Sequence, residues 1–256
     1  MKKFILLISL SVLILALNSC ATIPVKPPPS VKEISPQTAM FVPRQNIVHV
    51  VAPGETLWRI SKMYDVPVKD LLSANKLKTQ TLEKGQRLLV PDAAPITPVI
   101  PLYPSKKWKY IVIHHSATDE GSSLQFDRYH QSRGWEGLGY HFVIDNGTKG
   151  KQDGQIEVSP RWLKQKNGAH CNANCMNERA IGICLVGNFN SESVSEKQLE
   201  SLVYLTDKLR EYYKIPLKRI MGHGQVRGAK TDCPGKKFPW VEFRQKLENR
   251  NNEPAL

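Results

Sequence analysis

The sequence predicts an α/β domain built on a mixed β-sheet flanked by helices, preceded by a small strand–helix–helix–strand module. Three observations carry this reading. Two proline-rich stretches, 20–46 and 92–106, break the chain where proline removes ladder donors and stops helices. Between them, residues 47–91 carry two strand-like runs around two short helical patterns. Beyond them, residues 107–250 alternate continuous apolar runs with amphipathic stretches, as strands covered by helices do.

In the small module, Ile47 to Val51 reads as a strand and Pro53-Gly54 as a turn. Thr56 can cap a helix whose apolar positions are Leu57, Ile60 and Tyr64. A second helix carries Val68, Leu71 and Leu72 and ends near Asn75. Lys84-Gly85 then turns the chain into a second strand, Gln86 to Val90. A module of this length is near the lower limit for an independent core.

The larger region opens with Tyr110 to Ile113, a run apolar enough for a central strand, followed by a helical stretch over 124–131. A second strand is expected over Gly139 to Ile144, with Asn146-Gly147 as a turn signal, and a third over Ala180 to Val186. Ser193 and Glu196 suggest a capping box for a helix whose buried face holds Leu199, Leu202, Val203, Leu209, Tyr212 and Tyr213. Lys218 to Gly222 can form a last short strand.

The first residues have a different character. Lys2 and Lys3 precede an apolar run from Phe4 to Leu17, too short for a comfortable membrane span, and Leu17-Asn-Ser-Cys20 ends it. This ending resembles the lipobox of bacterial lipoproteins. The resemblance implies a signal peptide over 1–19, lipidation of Cys20, and an exported protein held on a membrane facing the cell wall, the outer membrane where the cell has two. Losing Lys2 and Lys3 would lower the formal charge from +13 to +11. An exported, basic chain argues for an anionic cell-wall polymer or lipid surface as partner rather than nucleic acid. The hydrophobic fraction of 41% is that of an ordinary globular protein, and a monomer is expected.

Chemistry concentrates where strands end. His114 and His115 follow the first strand of the larger region and His223 a late one, with Cys233 across a glycine-rich loop. Two imidazoles and a thiolate with one open position make a catalytic zinc site, yet each histidine could equally be a packed core residue. Cys171 and Cys175 are spaced to permit a local disulfide, which an exported protein favours. A glycosidase would need two working carboxylates; Glu120, Glu136 and Glu157 suggest no such pair.

Five ordered segments decide between these readings. They are Ile111 to Thr118, Leu138 to Ile144, Gly168-Ala-His170, Ile181 to Gly187, and Gly222-His223 with Cys233-Pro-Gly235. Together they resemble the zinc-dependent N-acetylmuramoyl-L-alanine amidases, the family of phage amidase lysozymes and peptidoglycan recognition proteins. The resemblance implies Zn2+ held by His114, His223 and Cys233, leaving His115 packed or supporting. It places Tyr140 and Thr231 in catalysis, His170 near the substrate, and Cys184 where a related branch has a glutamate. Nine residues separate His223 from Cys233, the spacing of a branch whose third ligand is aspartate, so Asp232 competes with Cys233. The family implies that activated water cuts the amide between the muramic acid lactyl group and L-alanine; a non-catalytic peptidoglycan receptor or tether is the alternative. The module over 47–91 resembles the LysM domain through Gly54, Glu55, Thr56, Leu57, Ile60, Asn75, Gly85 and Leu88, which implies binding of glycan strands beside its first helix.

Overall fold

The structure is a computed structural model and describes residues 43–250. The expected lipidation residue Cys20 and the expected signal sequence lie outside the described residues. In the small module, β1 (Gln45–Val50) pairs antiparallel with β2 (Arg87–Ala93), and α1 (Leu57–Tyr64) and α2 (Val68–Ala74) connect them. Thr56 caps α1 by accepting the Arg59 N–H at 3.2 Å. Leu57, Ile60, Tyr64, Leu71, Leu88 and Val90 are buried together, which spends the apolar face of each helix on one core. Asn75 ends α2 and fastens it to β2, its carboxamide oxygen accepting from Leu89 N and its nitrogen donating to Leu89 O, both at 2.7 Å.

The large domain is a five-stranded sheet in the order β5 (Asp153–Val158), β4 (Phe142–Asn146), β6 (Ala180–Leu185), β3 (Tyr110–His115), β7 (Ile220–Gly222). The inner pairings are parallel, and β5 is an antiparallel edge strand. Helices α6 (Glu196–Tyr213) and α7 (Trp240–Arg250) contribute to the main core with Ile111, Ile113, Ile181, Ile183, Phe142 and Ile156, which point to one face of the sheet. The opposite face carries α3 (Ser123–Ser132), and the short helices α4 (Pro160–Leu163) and α5 (Met176–Arg179) complete the connections. Directly opposed residues share a face, so one row runs across the sheet on the α3 side: Glu157, Val143, Cys184, His114.

Four features differ from the sequence reading. The cap of α6 is Ser195, in a capping box with Gln198, rather than Ser193 with Glu196. The second strand begins at Phe142 rather than Gly139, although the His141 backbone still donates to Gly182 O and accepts from Ser159 N. Strand β5 was not anticipated: Asp153, Gln155 and Glu157 occupy alternate positions of an element whose residues are mostly buried, so it lacks the apolar signature. The segment 92–106 is extended but is no spacer. Ala94 and Thr97 donate to Tyr64 O and Met63 O at the end of α1, and Trp162 Nε1 donates to Pro101 O at 2.7 Å.

Candidate metal centre

His114 lies near the carboxyl end of β3. Because Ile113 pairs with Gly222 in the parallel ladder, His223 emerges beside it, with ring centroids 4.8 Å apart. Cys233 arrives from the loop, its Sγ 3.6 Å from His114 Nδ1. The three donor atoms lie within 4.8 Å of one another. Tetrahedral zinc with ordinary Zn–N and Zn–S bonds would hold a nitrogen and a sulfur about 3.6 Å apart, so this spacing fits the ion.

The nine residues between His223 and Cys233 are accommodated without moving either end. Gly224 N donates to Cys233 O at 2.7 Å, and a Cβ on Gly224 would come within 2.3 Å of the Thr231 carbonyl oxygen. The excess chain makes an excursion whose anchor, Val226, is buried among Val112, Cys171, Met176 and Ala180. Asp232 stays outside the cluster, 61% exposed and 3.6 Å from Lys236.

His170 lies beneath the donors rather than at a substrate surface. Its Nε2 faces the Ala180 carbonyl at 3.3 Å, where it can only donate, so Nδ1 is left to accept from His114 Nε2 at 3.0 Å. This relay fixes the His114 tautomer with the Nδ1 lone pair turned toward Cys233. Cβ atoms at Gly168 and Gly182 would lie 2.3 and 2.4 Å from the His170 ring, which is why those positions are glycine. Asn177 fixes the loop, its carboxamide oxygen accepting from His170 N and Cys171 N at 2.8 Å.

The donors are held uncharged. Burial, then the neighbouring His170 and His223, push His114 well below the usual imidazole range. Burial lowers His223, and lowers His170 to about 4. Burial pushes the Cys233 thiol up to about 12, against the opposing His115 N–H, which donates to its sulfur at 3.4 Å. Neutral imidazoles are already in the form that binds zinc, whereas the Cys233 thiol would release its proton on binding.

The remaining predicted residues fall around this cluster. The Tyr140 ring is 5.2 Å from that of His114; burial holds its phenol well above the usual range, and its O–H donates to the Cys184 thiol. Thr231 is exposed, and its Oγ1 accepts from Cys233 N at 3.2 Å. His115 Nδ1 accepts from Phe189 N, so that ring packs while its backbone supports the sulfur. Cys171 and Cys175 are both free thiols, one buried and one exposed, so the expected disulfide is not formed. Asn174 and Cys175 both adopt left-handed backbone, and Cys171 Sγ faces Ala173 O instead. Two further residues escaped sequence reasoning. His141 accepts from Gly182 N at 2.9 Å, stapling β4 to β6, and His130 accepts from Gly139 N while stacking on Trp135, 43% exposed.

Comparison with known proteins matches this architecture. Residues 104–236 match the model of the N-acetylmuramoyl-L-alanine amidase family and residues 49–91 that of the LysM domain. The chain therefore belongs to the N-acetylmuramoyl-L-alanine amidase family and carries a LysM domain. It is 32% identical over 145 residues to peptidoglycan-recognition protein SC2 of Drosophila melanogaster, covering 53% of this chain and 72% of the relative. It is 28% identical over 132 residues to the endolysin of Escherichia phage T7, covering 48% and 78%. Among solved structures, an N-acetylmuramoyl-L-alanine amidase from Clostridium intestinale aligns over 60% of this chain and 95% of its own, at 34% identity and a TM-score of 0.46.

Proposed function

We propose that the protein is a zinc-dependent peptidoglycan amidase that cleaves the amide between the N-acetylmuramic acid lactyl group and L-alanine, held on a membrane by lipid at Cys20. One observation carries the catalytic reading: three donors of zinc-binding type converge within 4.8 Å near the carboxyl ends of the parallel strands β3 and β7. His114, His223 and Cys233 would hold the ion, which when bound supplies Lewis acidity and a nucleophilic water near neutral pH. His170 keeps the His114 lone pair aimed at the site. Tyr140 retains its proton at working pH, so it cannot act as a base, and its O–H would have to turn from the Cys184 thiol to donate to a reacting oxygen. Thr231 accepts from Cys233 N, which leaves its own O–H free to donate to the carbonyl oxygen as charge grows there. The LysM domain supplies affinity for glycan strands, and the basic composition, +11 once Lys2 and Lys3 are removed from the +13 of the full sequence, suits an anionic wall.

The test is mass spectrometry of muropeptides incubated with purified protein, with and without chelator. Release of intact stem peptides beginning at alanine, abolished by chelator and restored by zinc, is the expected result. Metal-loaded protein that sediments with sacculi and releases nothing would instead identify a receptor or tether.

A further inference from the structure

The seam between the LysM domain and the amidase domain is built from buried charge. Lys151 Nζ, from the β4–β5 connection, donates to the Val50 carbonyl at 2.7 Å and pairs with Glu157 at 2.7 Å. The two side chains are 1% and 0% exposed. Across the seam, buried Glu55 accepts from Ala52 N at 2.7 Å and faces His49 Nε2 at 2.8 Å. Arg59 of α1 is buried in the field of Glu55 and Glu157, with its Nε and Nη1 lacking hydrogen-bond partners among the described residues. Ser123 N, at the start of α3, donates to the second Glu157 oxygen at 2.7 Å.

Apolar contacts surround these charges. A Cβ on Gly54 would lie 3.1 Å from Leu163, one on Gly150 3.1 Å from Val50, and one on Gly85 3.3 Å from Leu124. At the rim, Lys84 pairs with Asp127 at 2.9 Å. The connecting segment is shared between the cores: Ile96 and Val99 pack into the LysM core, Ile100, Leu102 and Tyr103 into the amidase core. A buried ion pair adds little net stability but penalises every arrangement that leaves its members unpaired. The apolar seam and pinned segment therefore supply the attraction, and the ion cluster selects one orientation.

We infer that the LysM and amidase domains act as one rigid body, locked by Lys151, Glu157 and the Val50 carbonyl, so that a glycan strand on the LysM domain is held in constant register with the metal centre. The register part of this inference rests on the amidase reading; the lock itself does not. Hydrogen exchange on the full chain, read by peptide mass, tests the lock. In the native protein, peptides covering 94–105 and β1 are protected. Lys151→Met speeds their exchange by roughly a hundredfold, while β3 and β6 peptides keep their protection. Lys84→Glu sets like charges against each other at the rim without touching the buried cluster, and raises the same exchange severalfold. Free exchange of 94–105 in the native protein, or no response to either substitution, overturns the lock. Register is read as the ratio of cleavage of polymeric peptidoglycan to cleavage of a soluble muropeptide, which falls in Lys151→Met. An unchanged ratio with the lock broken overturns the register. Absence of all cleavage in the native protein defeats the amidase reading, and exchange still decides the lock.

Discussion

Two buried polar clusters occupy the same face of one sheet. His114 stands at one end of the row and Glu157 at the other, three strands or roughly 14 Å apart. At the metal centre every group is neutral: burial holds the imidazoles deprotonated and the Cys233 thiol protonated. At the seam Lys151, Glu157 and Glu55 are charged and compensate one another: burial lowers Lys151, but the Glu157 and Glu55 carboxylates outweigh it and raise it. A neutral cluster of soft donors has unused affinity for a cation, whereas the ionic cluster balances Lys151 against Glu157 and Glu55 within itself, although Arg59 keeps two unpartnered nitrogens among the described residues. Burial alone therefore does not mark a functional site. The marker is a group of donors whose charge balance would be completed from outside.

The largest expected effect tests the first half of that contrast. Cys233→Ser and His223→Ala should each weaken zinc binding by more than roughly a hundredfold, beyond what supporting residues cost, and take cleavage to background. Elemental analysis with a chelator competition checks this. Asp232→Asn should keep both metal and activity, because its side chain lies in solvent beside Lys236. Loss of zinc in Asp232→Asn with retention in Cys233→Ser would reverse the ligand choice.

The second effect breaks the compensated cluster. Glu157→Gln removes the carboxylate facing Lys151 and should cost about 3–5 kcal/mol in denaturant unfolding, the range for a buried charge left alone. Acid offers a route without mutation. Burial alone would raise Glu55, but the His49 hydrogen bond and charge, then Lys151 and the Ala52 N–H, win and bring it to about 2 from an ordinary 4.5. A depressed carboxylate stabilises the fold above its unfolded pKa and loses that contribution as pH falls through the folded one. The LysM domain should therefore weaken between about pH 4.5 and 2, by roughly 3 kcal/mol. Glu55→Gln should flatten that stretch of the stability profile; an unchanged profile would count against the assignment.

The convergence of His114, His223 and Cys233 was legible because these residues follow apolar runs or sit in a local motif. His114 lies at the end of one apolar strand, His223 follows another, and Cys233-Pro-Gly235 is a local motif. The position of His170 was legible but its role was not. Nothing local says that it accepts from His114, a partner 56 residues away, although Gly168 and Gly182 are the trace of its bulk. The seam was illegible for a similar reason: Lys151 meets Val50 across 101 residues, and Glu157 on β5 looks solvated until Lys151 and the start of α3 cover it. The prolines of 92–106 predicted extension correctly, but proline density says nothing about whether Ile96, Ile100 and Tyr103 find a core.

A smaller effect separates support from ligation at the metal centre. His170→Ala should weaken zinc binding ten- to a hundredfold by releasing the His114 tautomer, with no ligand lost. His170→Asn retains an acceptor for His114 Nε2–H and should fall less. If alanine and asparagine behave alike, the ring only fills space between the two glycines.

The smallest effect is the sharpest test of the contrast, because it asks for nothing to happen at a buried acid. Asp145 is fully buried at the seam, where its carboxyl faces that of Glu157 and, when protonated, can donate to it. Burial and then the Glu157 charge push it well above the usual carboxylate range, with Lys151 opposing, so it is held as the neutral acid. A carboxyl whose folded pKa is raised opposes folding at any pH above its unfolded value, since the unfolded chain ionises it freely. Asp145→Asn keeps shape and neutrality and removes that penalty. At pH 7 the variant should match the native protein within about 1 kcal/mol or exceed it. Glu157→Gln, one strand away, should not. Equal losses from the two substitutions would show that Asp145 is ionised, and that the seam holds one more charge than its lysine and arginine can balance.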